Sequence, residues 1–190
     1  PVDGRHVNIA DRVIDRHVRA GRGAQVALRW FGRDDIGARQ PIDITYEMLA
    51  ARTSRFASAL GRRGFGPGTG VATLSGRQPE LYVAALGTLK AGCVYSPLFS
   101  AFGPDPIAQR LAIGAVKVLV TTPVLFRRKV AKILDGLPDL ELILIVGSTE
   151  DALGDVLPRS TTRRVSVMSF GSFIGEGKDV TDEPTTTAET

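Results

Sequence analysis

The sequence predicts an α/β fold: a doubly wound, mostly parallel sheet with helices on both faces. Two observations carry this reading. From Val71 onward, short apolar runs bounded by Gly or Pro alternate with segments of helical periodicity, the βαβα signature. Leu140–Val146 is an almost unbroken apolar run, the type that a strand covered on both faces needs. The length of 190 residues, with 43% hydrophobic and 23% charged, suffices for one well-buried domain or at most two small ones.

The elements follow in order. Asn8 can cap a helix running to about Ala20, with Asp11 in its first turn and Arg16 and Arg19 in its last. Ile9, Val13 and His17 recur at four-residue spacing and predict its packing face. Val26–Phe31 reads as a strand, Gly32–Pro41 as a charged hairpin-like loop and Ile42–Thr45 as a second short strand. Tyr46–Arg63 is a helix with Leu49, Thr53, Phe56 and Leu60 on one stripe, ended by Gly64. A strand over Val71–Ser75 follows. Pro79–Ala91 is a helix with Pro at its start and Gly92 at its stop, leading into a buried strand Val94–Phe99. Asp105 is expected to cap a helix from Pro106 to near Gly114, and Lys117–Thr121 to form a strand. Thr122-Pro123 opens a helix whose stripe is Phe126, Val130, Ile133, Leu134 and Leu137. Beyond Gly147 the pattern decays; Arg164–Phe170 suggests one more strand, and Glu176–Thr190 a polar, Thr-rich tail. These features divide the chain into an α/β portion, residues 1–147, and a weakly structured connection and tail, residues 148–190.

Composition narrows the function classes. The net charge of +4 comes almost wholly from scattered arginines, without the basic stripe and interleaved aromatics of a nucleic-acid surface. No apolar run is long enough to span a bilayer, and residues 1–10 lack a secretory pattern. A single cysteine, Cys93, suits a reducing cytoplasm and reads as a small core residue. No nucleic-acid or membrane partner is therefore expected, and His6 and His17 have no metal-ligand neighbours at useful spacing.

Two glycine-rich stretches fail as phosphate loops. Gly66–Gly70 precedes a strand, whereas a phosphate cradle follows one and opens a helix; it reads as a turn. Gly171–Lys178 has Ser172 and Asp179 at two key positions of a P-loop. Ser75–Arg77 and Phe99–Gly103 lie just past the carboxyl ends of strands, where doubly wound sheets place ligands. Arg127, Arg128 and Lys129 fall early in a helix, where arginine forks suit phosphate oxygens. On these residues alone, a solvated face opposite the Phe126 stripe is the simpler reading.

Ile44–Leu49 and Leu89–Phe99 stand in a collinear series with Val13–His17, Ala51–Leu60, Pro79–Tyr82, Phe102-Gly103 with Ile107 and Arg110-Leu111, and Val120–Val124. Over roughly residues 8–147 the series resembles the amino-terminal part of AMP-forming acyl-CoA synthetases, within the adenylate-forming ligase superfamily. The acetyl-CoA-synthetase-like members are the nearest in pattern. The resemblance implies a carboxylate, acetate or another short-chain acid, coupled to ATP and then transferred to CoA. It implies ATP, Mg²⁺ and CoA as cofactors of the full-length protein. Arg127 falls where such enzymes hold the CoA nucleotide phosphates. Val130 stands at the second such position, with Arg128 or Lys129 as substitutes, and Ser100-Ala101 replace a Gly-Gly pair beside the CoA site. Arg127, Arg128, Ser100 and Ala101 are the candidate CoA contacts.

The resemblance also implies what these 190 residues omit. The family's phosphate loop, acyl pocket, ribose-binding Asp and carboxyl-terminal catalytic Lys have no counterpart in the sequence. It therefore reads as an amino-terminal fragment, preceded by further residues since it begins with Pro. It is expected to hold no catalytic residue, to bind no metal and to be inactive by itself. Two alternatives stay open. One is a stand-alone, non-catalytic binding or interaction module, whose exposed apolar surface would favour association with itself or with a partner; the other is an adenylating enzyme for a different carboxylic substrate.

Overall fold

The computed structural model describes residues 8–33, 39–155 and 165–177. At its centre is a five-stranded sheet in which every neighbouring pair is parallel, in the order β4-β3-β5-β6-β7. The strands are β3 (Gly70–Leu74), β4 (Val94–Leu98), β5 (Val116–Thr121), β6 (Leu142–Ile145) and β7 (Ser166–Ser169). An antiparallel hairpin of β1 (Val26–Arg33) and β2 (Arg39–Thr45) precedes them.

Two cores cover the two faces, so the architecture is the doubly wound one expected. One core joins α1 (Tyr46–Arg62), α2 (Pro79–Lys90) and α5 (Phe170–Glu176) to Val71, Val118, Val120, Leu142 and Leu144. The other joins α3 (Pro104–Ile113) and the segment after β5 to Ala72, Leu119, Ile143 and Ile145. Consecutive residues of β5 and β6 thus point into opposite cores, which is why their sequences are apolar throughout. The sheet continues beyond Gly147: β7 pairs with β6, and Ser169 caps α5 by accepting the Ser172 amide at 3.0 Å.

Within the first core, Leu49, Thr53, Phe56 and Leu60 are buried as the periodicity requires. The Thr53 hydroxyl donates to the Leu49 carbonyl at 2.8 Å, which removes the cost of burying it. Phe56 meets the ring of Phe173 edge-on at 5.3 Å, tying α5 to α1. Across α2, a Cβ at Gly87 would lie 2.7 Å from the Phe56 ring, so the small residue sets how closely α1 and α2 approach. Gly92, at φ +71, takes the left-handed conformation that ends α2.

Several elements differ from the sequence expectation. The Asn8 side chain does cap the first helix, accepting the Ala10 amide at 2.9 Å, but Ile9 and Val13 are exposed. Ala10 and Ile14 are buried instead. The chain there winds in wide π-type turns, Asp11–Asp15 and Val18–Arg22. Asn8 also donates to the carbonyls of Leu89 and Lys90, and Asp15 accepts from the buried Lys90 ammonium at 2.8 Å. Those polar ties rotate the helix away from the face that hydrophobicity suggested. His17 stacks on Tyr46 with centroids 4.4 Å apart.

The hairpin strands extend through Gly32–Arg33 and Arg39–Pro41, which the sequence read as loop; residues 34–38 lie outside the described residues. β4 is an edge strand with Val94 56% exposed, not a buried one. Pro97 fits there, because its missing N–H needs no outer partner. Gly103, not Asp105, caps α3, and Pro104 occupies the first turn. The single helix expected after Thr122 is three pieces: α4 (Pro123–Leu125), a wide turn Phe126–Val130 and a tight turn Leu134–Gly136. Phe126, Val130, Leu134 and Leu137 are buried all the same; the spacing of four from Phe126 to Leu134 falls between the α and π repeats. The P-loop-like stretch at Gly171 is helix through Glu176, and Lys178 and the tail lie outside the described residues.

Phe56 joins three helices without solvent exposure, so its truncation leaves a cavity that none of them can close alone. Phe56→Ala is expected to cost about 3–5 kcal/mol in urea unfolding. A loss under about 1 kcal/mol would mean that the α1–α2–α5 junction is loosely packed.

Candidate functional site

The strand order makes β3 the turning point of the sheet. β4 follows on one side of it and β5 returns on the other, so the carboxyl ends of β3 and β5 form the switch point where open α/β sheets receive ligands. That end is braced by polar contacts. The Thr121 hydroxyl donates to the Leu74 carbonyl at 2.8 Å, joining the ends of β5 and β3. Thr73 and Tyr95 share a 2.8 Å hydrogen bond between β3 and β4. Burial raises the Tyr95 phenol, with the Thr73 bond opposing. The Trp30 indole of β1 donates to the Arg77 carbonyl at 2.7 Å and so fixes the loop after β3.

The loop after β4 holds two of the sequence candidates, Ser100 and Ala101. It closes as a tight turn, with the Phe102 amide donating to the Phe99 carbonyl at 3.0 Å. The Phe99 and Phe102 rings meet edge-on at 5.6 Å, and the Arg110 guanidinium lies 4.3 Å over the Phe102 ring. Lys129 reaches this turn from the segment after β5. Its ammonium donates to the carbonyls of Ser100 and Phe102, each at 2.6 Å.

Arg127 and Arg128, the other candidates, directly precede Lys129 and are exposed. Neither makes an ion pair or hydrogen bond among the described residues. Lys129 thus ties the turn that holds Ser100 and Ala101 to the segment that carries Arg127 and Arg128. The amides of Leu125 and Phe126 are already taken by the side chain and carbonyl of Thr122. Val130, the position at which the resemblance calls for a second arginine, is fully buried in the second core and faces no ligand. Arg128 and Lys129 are the neighbouring cations, and only Arg128 is uncommitted. The role of Lys129 had no signal in spacing, because two backbone carbonyls leave no mark in a sequence.

Elsewhere, a cleft of about 310 Å³ lined by Arg63, Phe65, Glu141, Leu142 and Ser166 opens at the amino ends of the strands, away from every candidate. Arg63 there is held by Glu176 at 2.7 Å, and this bond keeps the Glu176 carboxyl below its usual range. Among the described residues no group of His, Cys, Asp and Glu is placed to hold a metal. No described helix is long and apolar enough to cross a membrane.

A doubly wound parallel sheet with braced loops at its carboxyl ends defines an open α/β protein. The chain belongs to the AMP-binding enzyme family, whose sequence pattern matches residues 16–187. It is 37% identical over 168 residues to the acetyl-coenzyme A synthetase of Sodalis glossinidius (strain morsitans), covering 88% of this chain and 24% of that one. Against the acetyl-coenzyme A synthetase of Bacillus subtilis (strain 168) the identity is 33% over 147 residues, 77% of this chain and 24% of the relative. The chain therefore spans about a quarter of the length of these curated relatives. Among solved structures, an acyl-CoA synthetase of Brucella canis superposes with a TM-score of 0.70 at 25% identity, over 91% of this chain and 28% of that one. An anthranilate CoA ligase in complex with anthranoyl-AMP superposes at 0.73 and 17% identity, over 94% and 30%, a likeness of fold alone.

Cys93 is buried at the start of β4, its thiol 3.1 Å from the Gly66 carbonyl, and burial pushes it up from 9.0 to about 11. The folded state holds the proton more tightly than the unfolded chain, so this contribution is complete below pH 9.0 and is lost as pH rises toward about 11. Alkylation by iodoacetamide at pH 8 should therefore be slow in the folded chain and fast in urea. Equal rates in the two states would contradict the burial.

Proposed function

We propose that this chain is the amino-terminal part of an AMP-forming acyl-CoA ligase acting on acetate or another short-chain acid. In that reaction a carboxylate oxygen attacks the α-phosphorus of ATP and pyrophosphate leaves; the CoA thiol then takes the acyl group and releases AMP. Family membership and the identity to acetyl-coenzyme A synthetases support the class of reaction. The one structural observation that carries the local assignment is the corner formed by Ser100, Ala101, Arg127 and Arg128, gathered by the Lys129 bonds.

There, two exposed guanidinium groups with no protein partner among the described residues offer bidentate donors to phosphate oxygens. Ala101, small and exposed, leaves the backbone of the turn open to an approaching nucleotide. We assign these residues to the phosphates of the CoA nucleotide. Mg²⁺ supplies charge neutralisation at the transferring phosphoryl group in such ligases. No described residue cluster fits it, and no step is assigned to this chain through it. The 190-residue chain alone is proposed to be inactive in adenylation.

Two measurements test this reading. ATP–pyrophosphate exchange by the 190-residue chain should stay at background with acetate, and turnover above background refutes the proposed inactivity. In a CoA titration, Arg127→Ala should weaken binding by about tenfold, the scale of one lost charge-assisted hydrogen bond. Identical affinities would remove Arg127 from the site.

A further inference from the structure

Lys129 is committed to its own chain in a way that the neighbouring arginines are not. A lysine ammonium has three N–H donors. Two are used, at 2.6 Å each, on the carbonyls of Ser100 and Phe102. Both acceptors are neutral, so the bonds are charge-assisted while the cation is not cancelled by a carboxylate. The two carbonyls flank Ala101 and belong to the turn that the Phe102 amide closes onto Phe99. On the other side, Arg110 covers the Phe102 ring at 4.3 Å. The turn is therefore held from α3 by a ring contact and from the Phe126–Val130 turn by one ammonium.

We propose that Lys129 is a positioning residue for the anion-binding corner. It fixes the Ser100–Phe102 backbone against the segment bearing Arg127 and Arg128, so that a nucleotide phosphate meets a preformed turn. It does this through the two carbonyls and not by touching the ligand. This rests on the CoA assignment above for its ligand, and on the Lys129 hydrogen bonds for its mechanism. A preformed turn spares the ligand the cost of ordering it, so the benefit appears for any ligand that docks there. A direct phosphate contact would instead favour the ligand that carries the phosphate.

The test uses the 190-residue chain, wild type and Lys129→Met, with thermal unfolding to show that both are folded. Hydrogen exchange reads the tie: the Phe102 amide should exchange about tenfold faster in Lys129→Met. Titration with CoA and with dephospho-CoA reads the consequence. Lys129→Met should weaken both by a similar factor of about ten, whereas Arg127→Ala should weaken CoA more than dephospho-CoA. Unchanged exchange at Phe102 overturns the tie. A selective loss of CoA over dephospho-CoA in Lys129→Met makes Lys129 a phosphate contact and overturns the positioning role. If the wild type binds neither ligand while exchange still responds, the CoA assignment fails and the tie stands. Should Lys129→Met not fold, Lys129→Arg replaces it. Its fork can still serve both carbonyls, so wild-type protection with near-wild-type affinity for both ligands is expected, and lost affinity with protection intact contradicts the proposal.

Discussion

Every residue of β5 and β6 from Val118 to Thr121 and from Leu142 to Ile145 must be kept from water, because the parallel sheet is covered on both faces. That requirement organises the molecule. Alternate residues of these strands feed two separate cores, and each core needs its own layer of helices. α1, α2 and α5 supply one layer, centred on Phe56 and Phe173; α3 and the Phe126–Leu134 stretch supply the other. With the faces occupied, the ends of the strands are where polar groups and a ligand have room.

The carboxyl end meets that role with a set of polar braces. Thr121 joins β5 to β3, Tyr95 joins β4 to β3, and Trp30 reaches across from the hairpin to hold the loop after β3. Lys129 does the same for the loop after β4. Each brace spends a side-chain donor on the protein itself, and Arg127 and Arg128 have no partner among the described residues. The amino end is built differently: its Arg63 and Lys117 are paired with Glu176 and Glu141.

Periodicity and glycine placement made the succession of β3 to β6 along the chain, the buried stripe of α1 and the Cys93 environment legible in the sequence, since each depends on local patterns. The faces of the first helix were not legible. As a pair Ile9 and Val13 are more apolar than Ala10 and Ile14, yet Asn8 and Asp15 bind the end of α2 and turn Ala10 and Ile14 inward. Edge or centre was equally hidden for Val94–Leu98, because strand order depends on long-range pairing. At the candidate corner, the sequence offered residue types, Ser100, Ala101, Arg127 and Arg128. The part played by Lys129, the burial of Val130 and the hold of Trp30 on Arg77 depend on backbone carbonyls and distant packing, which no spacing records.

The central claim is that the corner formed by the turn after β4 and the Arg127–Lys129 stretch receives the CoA nucleotide. Amide chemical shifts of the ¹⁵N-labelled chain during titration with CoA test it most directly. The account predicts saturable shifts concentrated at residues 99–103 and 126–130, with the amino-end cleft around Arg63 and Ser166 unmoved. Saturable shifts centred on that cleft, or none at the corner at saturating CoA, would contradict it.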